Sequence, residues 1–161
     1  MTQRPEAFEN LITKVGSLKE ADRDEEEIEQ YIAVAKDMLR DSLKAENSAH
    51  GRYMLAYDGL HNQSIAVLLH YGTRPADAKG HRSVAFHKFC DVLSLDAGRR
   101  KIVITAHERR NETTYRSALP PLTHKDAENV IAILSETLPK TIALIFGEPD
   151  KPSGTAKTPK L

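Results

Sequence analysis

Apolar residues recur at helical spacing along most of the chain, whereas the alternation typical of β-strands is nearly absent. A short amphipathic stretch after Pro5 predicts an N-terminal helix within residues 1–20. A longer stretch over residues 24–46 begins with a run of acids, which suit the positive end of a helix dipole. Residues 49–71 are apolar on two sides, a pattern typical of a helix at the centre of a bundle.

The predicted central helix has signals at both of its ends. Asn47 or Ser48 can cap its start, because their side chains accept hydrogen bonds from free backbone N–H groups. Gly72 followed by Pro75 ends it. Residues 73–80 are therefore predicted to form a loop.

Three more boundaries follow. The apolar pattern resumes over residues 81–95, and Asp96 suits the N-cap of a fourth helix that extends to residue 115. Thr123 with Asp126 resembles a capping box at the start of a fifth helix. Pro139 interrupts the apolar pattern of that last helix.

Together these patterns predict an all-α fold, a helical bundle of about five helices. We expect one domain over residues 1–146, with the N-terminal helix in residues 1–20 and the core in residues 24–115. Residues 147–161 are rich in Pro, Lys, Gly and Thr, and we predict a disordered tail there.

Composition narrows the class of protein. The 161 residues suffice for one ordinary domain. The single cysteine, Cys90, excludes an intramolecular disulfide, and no two of the seven histidines lie three or four residues apart as a helical metal site would require. Neither a signal peptide nor a run of about 20 apolar residues is visible. We therefore expect a cytoplasmic protein with no membrane segment, metal or cofactor.

Charge is balanced overall but uneven along the chain. The 23 basic and 23 acidic residues exclude a generally basic nucleic-acid-binding protein. Residues 1–50 hold 7 basic and 12 acidic residues, whereas residues 81–125 hold 9 basic and 4 acidic ones. Two explanations stay open, namely solvated helix faces and a basic surface for phosphate or an acidic partner.

The predicted fourth helix carries a polar group of residues beside its apolar face. His107 lies three residues before Arg110 and four before Asn111, and Asn111 lies four before Tyr115, so the four side chains share a face. Burying an arginine without a partner is costly, so this face either opens into a groove or meets an acid. We take Arg110, Asn111 and Tyr115 as candidates for binding a ligand. His107 and Arg110 are the candidates for catalysis.

Asp58 on the central helix is the candidate acid. It lies four residues from Asn62, near the apolar face of that helix, and an inward carboxylate favours an arginine partner. Three outcomes are open: Asp58 and Arg110 tie two helices together, they bind a ligand together, or they never meet. Asp58 is thus a further ligand-binding candidate.

Three segments resemble the HEPN-domain family: SAHGRYMLAYDGLHNQSIAVLLHYGTRP, GHRSVAFHKF and HERRNETTY. The resemblance covers residues 33–115. It is closest to the branch with a glycine-tyrosine-arginine-like loop and an arginine-asparagine pair followed by tyrosine. It implies a small all-α protein that is usually a homodimer. Many members are metal-independent endoribonucleases, often toxins paired with a nucleotidyltransferase antitoxin, and others are non-catalytic RNA-binding or assembly modules.

The chain departs from the catalytic pattern of that family. Catalytic members carry an arginine followed, after four to six residues, by a histidine near the last core helix. Here Tyr115 stands at the matching distance from Arg110, so the histidine is missing. Arg100 and His107 have the loose spacing and share a face of the same predicted helix.

Three functions follow as expectations. The first is a non-catalytic HEPN-like binding or assembly module, dimeric, whose polar groove binds RNA or a nucleotide. The second is a toxin-type endoribonuclease with a nucleotidyltransferase antitoxin as partner, in which Arg110 stabilises the negative charge of the transition state and His107 moves protons. The third is a protein–protein adaptor without a nucleic-acid role.

Overall fold

The computed structural model of the chain describes residues 3–77 and 82–148, except for the side chains of Arg82 and Tyr115. It is mostly helical, which confirms the predicted all-α bundle. The helices are α1 (Glu6–Asn10), α2 (Glu25–Ser42), α3 (Ala49–His70), α4 (Arg82–Val92), α5 (Ala97–Tyr115) and α6 (His124–Phe146). A π-helical turn, Leu11–Val15, continues α1, and two short strands are β1 (Leu18–Glu20) and β2 (Thr73–Pro75).

The central helix is α3, as its two apolar sides predict. Between Gly59 and His70 every residue is buried except His61 and Asn62. One side of α3 packs against α4, α5 and α6 around the fully buried residues Phe86, Phe89, Val103 and Leu134. The other side packs against the N-terminal segment, α2 and the end of α6 around Phe8, Leu18, Ile28 and Ile32.

Helices α3 and α6 approach each other closely. A Cβ atom on Gly59 would lie 2.5 Å from Cδ2 of Leu134, so a larger residue there would push the helices apart. Farther along, Nε2 of Gln63 donates a 2.6 Å hydrogen bond to Oγ1 of Thr141, and Thr137 donates a 3.3 Å bond to Oε1 of Gln63. These bonds satisfy the polar groups buried between the two helices.

The predicted loop over residues 73–80 is wrong at its beginning. Thr73–Pro75 forms β2, which pairs antiparallel with β1 so that Lys19 lies opposite Arg74. Nη2 of Arg74 also donates a 2.5 Å hydrogen bond to a carboxylate oxygen of Glu27 on α2. Strands of three residues contain too little alternation to be detected from the sequence.

The predicted caps are confirmed at three helices. Oγ of Ser48 accepts a hydrogen bond from the backbone N–H of Gly51, which settles the choice between Asn47 and Ser48. The Asp96 side chain caps α5. Thr123 and Asp126 form a reciprocal capping box at the start of α6.

Some helix ends differ from the predicted ones. The second helix ends at Ser42 rather than near residue 46, because the Asn47 side chain donates a 2.9 Å hydrogen bond to the carbonyl of Asp41 and closes a turn there. The helix predicted over residues 81–95 is α4, which ends at Val92, and its predicted first residue, His81, lies outside the described residues. The last continues through Pro139 to Phe146, since the apolar residues on both sides of the proline pack into the same core.

Helix α6 is the one helix of the described ranges that is long and apolar enough, by length and composition, to cross a membrane. In its most apolar window 44% of the residues are buried inside the bundle. A core helix has the same composition, so the pattern is weak evidence of a membrane. The tail predicted for residues 147–161 lies outside the described residues, apart from Gly147 and Glu148.

Candidate functional site

Three helices bring a set of aromatic and polar side chains together at one place on the bundle. We call this set the His107 cluster. It consists of Tyr57 and His61 of α3, Phe86 of α4, and His107, Arg110 and Asn111 of α5. The face that the sequence predicted on α5 thus meets the central helix.

Two buried rings form the base of the cluster. Phe86 is fully buried and Tyr57 is 4% exposed. The ring centre of Phe86 lies 5.2 Å from that of His107 and 5.8 Å from that of His61. The ring centre of Tyr57 lies 6.1 Å and 6.4 Å from the same two imidazoles. Both half-buried histidines therefore rest on one aromatic platform.

Both ring nitrogens of His107 lie within hydrogen-bond distance of protein groups. Nδ1 lies 3.0 Å from the hydroxyl oxygen of Tyr57, and Nε2 lies 3.4 Å from Nδ2 of Asn111. A neutral imidazole donates through one nitrogen and accepts through the other. If Asn111 donates to Nε2, then Nδ1 carries the hydrogen and donates to the Tyr57 oxygen.

Arg110 lies over the face of Tyr57, with its guanidinium carbon 5.9 Å from the ring centre. Over residues 3–77 and 82–148 it makes no ion pair within 4 Å. Within the described residues, four of the nine basic residues of the segment 81–125 are paired with carboxylates: Lys88, Arg99, Arg100 and Arg109. Arg110 is not among them, so no carboxylate of the described ranges offsets its charge at ion-pair distance.

The ion pair between Asp58 and Arg110 does not form, so the first of the three outcomes considered for them is wrong. The Asp58 side chain is exposed, and the two side chains do not approach within 4 Å. Surrounding protein atoms raise the pKa of Asp58, and the positive charge of Arg110 offsets this only in part. The carboxylate therefore lies at the edge of the His107 cluster without neutralising its arginine.

No family model, curated protein sequence or solved structure matches this chain.

The predicted site residues divide into those that the structure brings together and those that it does not. His107, Arg110 and Asn111 belong to one cluster, with Asp58 at its edge. The Tyr115 side chain lies outside the described residues. Arg100 donates a 2.5 Å hydrogen bond to Asp91 on α4, so it is engaged in a structural contact near the start of α5.

Sequence reasoning missed Tyr57 and His61. The spacing of Tyr57 on α3 is that of a packing residue, and the ring is buried, but its hydroxyl also lies 3.0 Å from Nδ1 of His107. His61 lies one turn after Tyr57 on α3, and this spacing was the available signal.

The chemistry available at this place is that of an arginine, two imidazoles and an amide over aromatic rings. Such groups donate hydrogen bonds to anionic oxygens and stack on planar groups. In the described part of the chain no group of three His, Cys, Asp or Glu side chains could hold a metal ion.

Proposed function

We propose that this protein is a HEPN-like, non-catalytic module that binds single-stranded RNA through a backbone phosphate at the His107 cluster. One observation carries the proposal: Arg110 lies on the Tyr57 ring with no ion pair within the described residues. A charged, half-buried guanidinium without a carboxylate favours an anionic partner from outside.

The neighbours of Arg110 suit a phosphate. The guanidinium carbon of Arg110 lies 5.9 Å from the Tyr57 ring centre, and a guanidinium has several N–H groups that can donate to two phosphate oxygens at once. Asn111 lies one position after Arg110, and the N–H groups of its amide add hydrogen-bond donors.

The geometry at His107 favours binding over cleavage. A general base needs a nitrogen that can reach the proton of the attacking hydroxyl group. Both nitrogens of His107 lie near protein groups, at 3.0 Å from the Tyr57 hydroxyl and 3.4 Å from the Asn111 amide. In this arrangement His107 positions its neighbours.

Fluorescence anisotropy with a labelled single-stranded RNA of about 12 nucleotides, in EDTA, tests the proposal. We expect saturable binding that Arg110→Ala weakens about tenfold or more, because a charge-assisted contact to a phosphate is lost. The salt dependence should also flatten by about 0.7 in the slope of log K against log salt, the value for one phosphate contact to a single strand.

Arg40→Ala is the matched control, since it removes the same charge from an exposed position on α2. If Arg110→Ala and Arg40→Ala weaken RNA binding equally, the contact of Arg110 with a phosphate is not specific and the proposal is contradicted. The proposal is also contradicted if wild type shows no saturable binding at 100 mM salt. In that case the adaptor function is the better explanation.

Endoribonuclease activity is a second candidate, favoured by one observation: His107 and Arg110 lie one turn apart on α5 in the same cluster. Arg110 would stabilise the charge of the phosphorane and His107 would move protons once a bound RNA displaced Asn111. Specific cleavage in EDTA that disappears in both His107→Ala and Arg110→Ala would favour this function over the first.

The homodimer and the nucleotidyltransferase partner implied by the family resemblance belong to the same proposal. Light scattering at tens of micromolar tests the first. A species of only 18.0 kDa would contradict the dimer but not the RNA contact.

A further inference from the structure

A concave region separate from the His107 cluster lies beside α5, near Arg109. It is a groove of about 520 Å³ between α5, α6 and the segment that joins them. We call it the Tyr53 groove, because Tyr53 of α3 forms part of its wall. Its volume falls in the range of pockets that hold small organic molecules. Arg109 lines this groove, whereas Arg110, the next residue, belongs to the His107 cluster.

The hydroxyl of Tyr53 has no hydrogen-bond partner among the described residues, although the side chain is only 3% exposed. Within the described ranges, Oγ of Ser17 is the one side-chain N or O atom that is fully enclosed and has no hydrogen-bond partner. The Tyr53 oxygen also has no partner but is not fully enclosed, so it retains access to the groove that its side chain lines. Tyr53 lines the groove together with Asp126 and Arg109. The negative charge of Asp126 raises the pKa of the phenol, and the positive charge of Arg109 lowers it by less.

Three of the four charged side chains that line the groove, all except Lys101, contact other protein groups. Arg109 donates to the backbone carbonyls of Leu119 and Pro120 and lies 3.6 Å from Glu112. Asp126 accepts hydrogen bonds from Thr123 in the capping box of α6.

Two hydrogen-bond donors of the groove make no hydrogen bond or ion pair within the described ranges, the Tyr53 hydroxyl and the ammonium group of Lys101. The lining also includes the carboxylates of Glu112 and Asp126 and the exposed Asn129 amide, which can donate or accept. Hydroxyl and ammonium groups that lack an acceptor favour a ligand that supplies anionic oxygens. Between these donors the wall is apolar and includes Ile102, Leu122 and Val130.

We propose that the Tyr53 groove binds a small aromatic carboxylate, with a carboxylate oxygen accepting the hydroxyl hydrogen of Tyr53 and the ring lying on Ile102 and Val130. Lys101 supplies the positive charge at the wall. This site is independent of the RNA contact proposed above, because it uses neither Arg110 nor His107.

Titration of the full chain with 1-naphthaleneacetate, followed by NMR of the isoleucine, leucine and valine methyl groups, tests the proposal. We expect saturable shifts at Ile102, Leu122 and Val130. Tyr53→Phe should weaken the affinity about 3- to 10-fold, the effect of one lost hydrogen bond. This variant should fold, because the hydroxyl has no protein partner to lose.

Three comparisons complete the design. The neutral 1-naphthaleneacetamide should bind at least about threefold more weakly, since it lacks the charge that Lys101 favours. Thr105→Trp should abolish binding by filling the groove from an exposed position on its wall. Lys36→Ala, which removes an exposed charge from α2, should leave the affinity unchanged.

Several results would overturn the proposal. One is a wild type without saturable shifts up to 5 mM probe. Another is an affinity that Tyr53→Phe leaves unchanged, and a third is an amide that binds as well as the acid. Shifts that persist in Thr105→Trp would place the probe elsewhere on the molecule.

Discussion

Tyr53 and Tyr57 lie one turn apart on the same side of α3, and nearly the same small fraction of each is exposed, 3% and 4%. Their hydroxyl groups nevertheless have different surroundings. The Tyr57 oxygen lies 3.0 Å from Nδ1 of His107. The Tyr53 oxygen has no hydrogen-bond partner in the described ranges and lies at a groove. Of two equivalent positions on one helix, Tyr57 thus belongs to a closed polar cluster and Tyr53 lines an open cavity.

The difference comes from α5 rather than from α3. Toward Tyr57, α5 presents an imidazole and a guanidinium that fill the space above the ring. Toward Tyr53 it presents Arg109, which turns away to the carbonyls of the segment after α5 and leaves a gap before α6. A neighbouring helix therefore decides whether a buried tyrosine is a structural partner or a free donor.

The largest expected effect concerns Tyr53 at high pH. Burial, with Asp126 as a smaller cause, raises the pKa of Tyr53 to about 12 from its ordinary value of 10. The unfolded chain therefore loses this proton first, so ionisation of Tyr53 leaves the free energy of unfolding unchanged below pH 10 and lowers it as the pH rises toward 12. Two pKa units correspond to about 2–3 kcal/mol.

Urea unfolding of wild type and Tyr53→Phe between pH 9 and 11.5 measures this contribution. Wild type should lose more stability than the variant over that range, and absorbance at 295 nm should show one late-titrating tyrosine that the variant lacks. Burial also raises the pKa of Cys90, to about 11, but the thiol is present in both proteins and cancels in the difference. Identical pH slopes would show that Tyr53 ionises normally.

The sequence predicted the fold better than it predicted either region. Apolar spacing and capping residues such as Ser48, Asp96 and Thr123 act locally, so they specified the helices and their starts. The strand pairing of Lys19 with Arg74 joins residues far apart in the chain, and no local pattern encodes it. Pro139 predicted an interruption, but α6 continues through it. The packing that tolerates the proline involves other helices, so the local sequence does not show it.

The site was predictable only along one helix. The spacing of His107, Arg110 and Asn111 on α5 indicated a shared face, and they do belong to one cluster. Tyr57 and His61 reach the cluster from α3, and the Tyr53 groove depends on a gap between α5 and α6. Contacts and gaps between helices depend on how the helices cross, which a single sequence does not state.

A smaller change in stability is expected when each of the two hydroxyl groups is removed in turn. Tyr57→Phe removes the partner of Nδ1 of His107 and should destabilise the protein by about 1–2 kcal/mol, because a polar atom in a half-buried place loses its hydrogen bond. Tyr53→Phe should stay within about 0.5 kcal/mol of wild type, since its hydroxyl has no protein partner in the described ranges to lose.

Urea melts at pH 7 compare these two variants, which make the same chemical change one turn apart on α3. Equal losses of stability would mean that Tyr53 has an unseen partner. Equal but negligible losses would mean that the contact between Tyr57 and His107 contributes nothing to the fold, and the comparison between the two regions would then fail.

The smallest expected effect on stability concerns Asp58, at the edge of the His107 cluster. Removing one member of a buried ion pair would cost about 3–5 kcal/mol. Asp58 is exposed and has no salt bridge to Arg110, so Asp58→Asn should change the free energy of unfolding by no more than about 0.5 kcal/mol. The same variant removes a negative charge that repels phosphate near Arg110, so it should strengthen RNA binding by a fewfold at low salt and less at high salt. Urea melts and anisotropy titrations on one preparation separate the two effects. A loss of several kcal/mol would restore the helix-tying pair that the sequence suggested, and Arg110 would then belong to the scaffold that Tyr57 and His107 form rather than to a site for an anion.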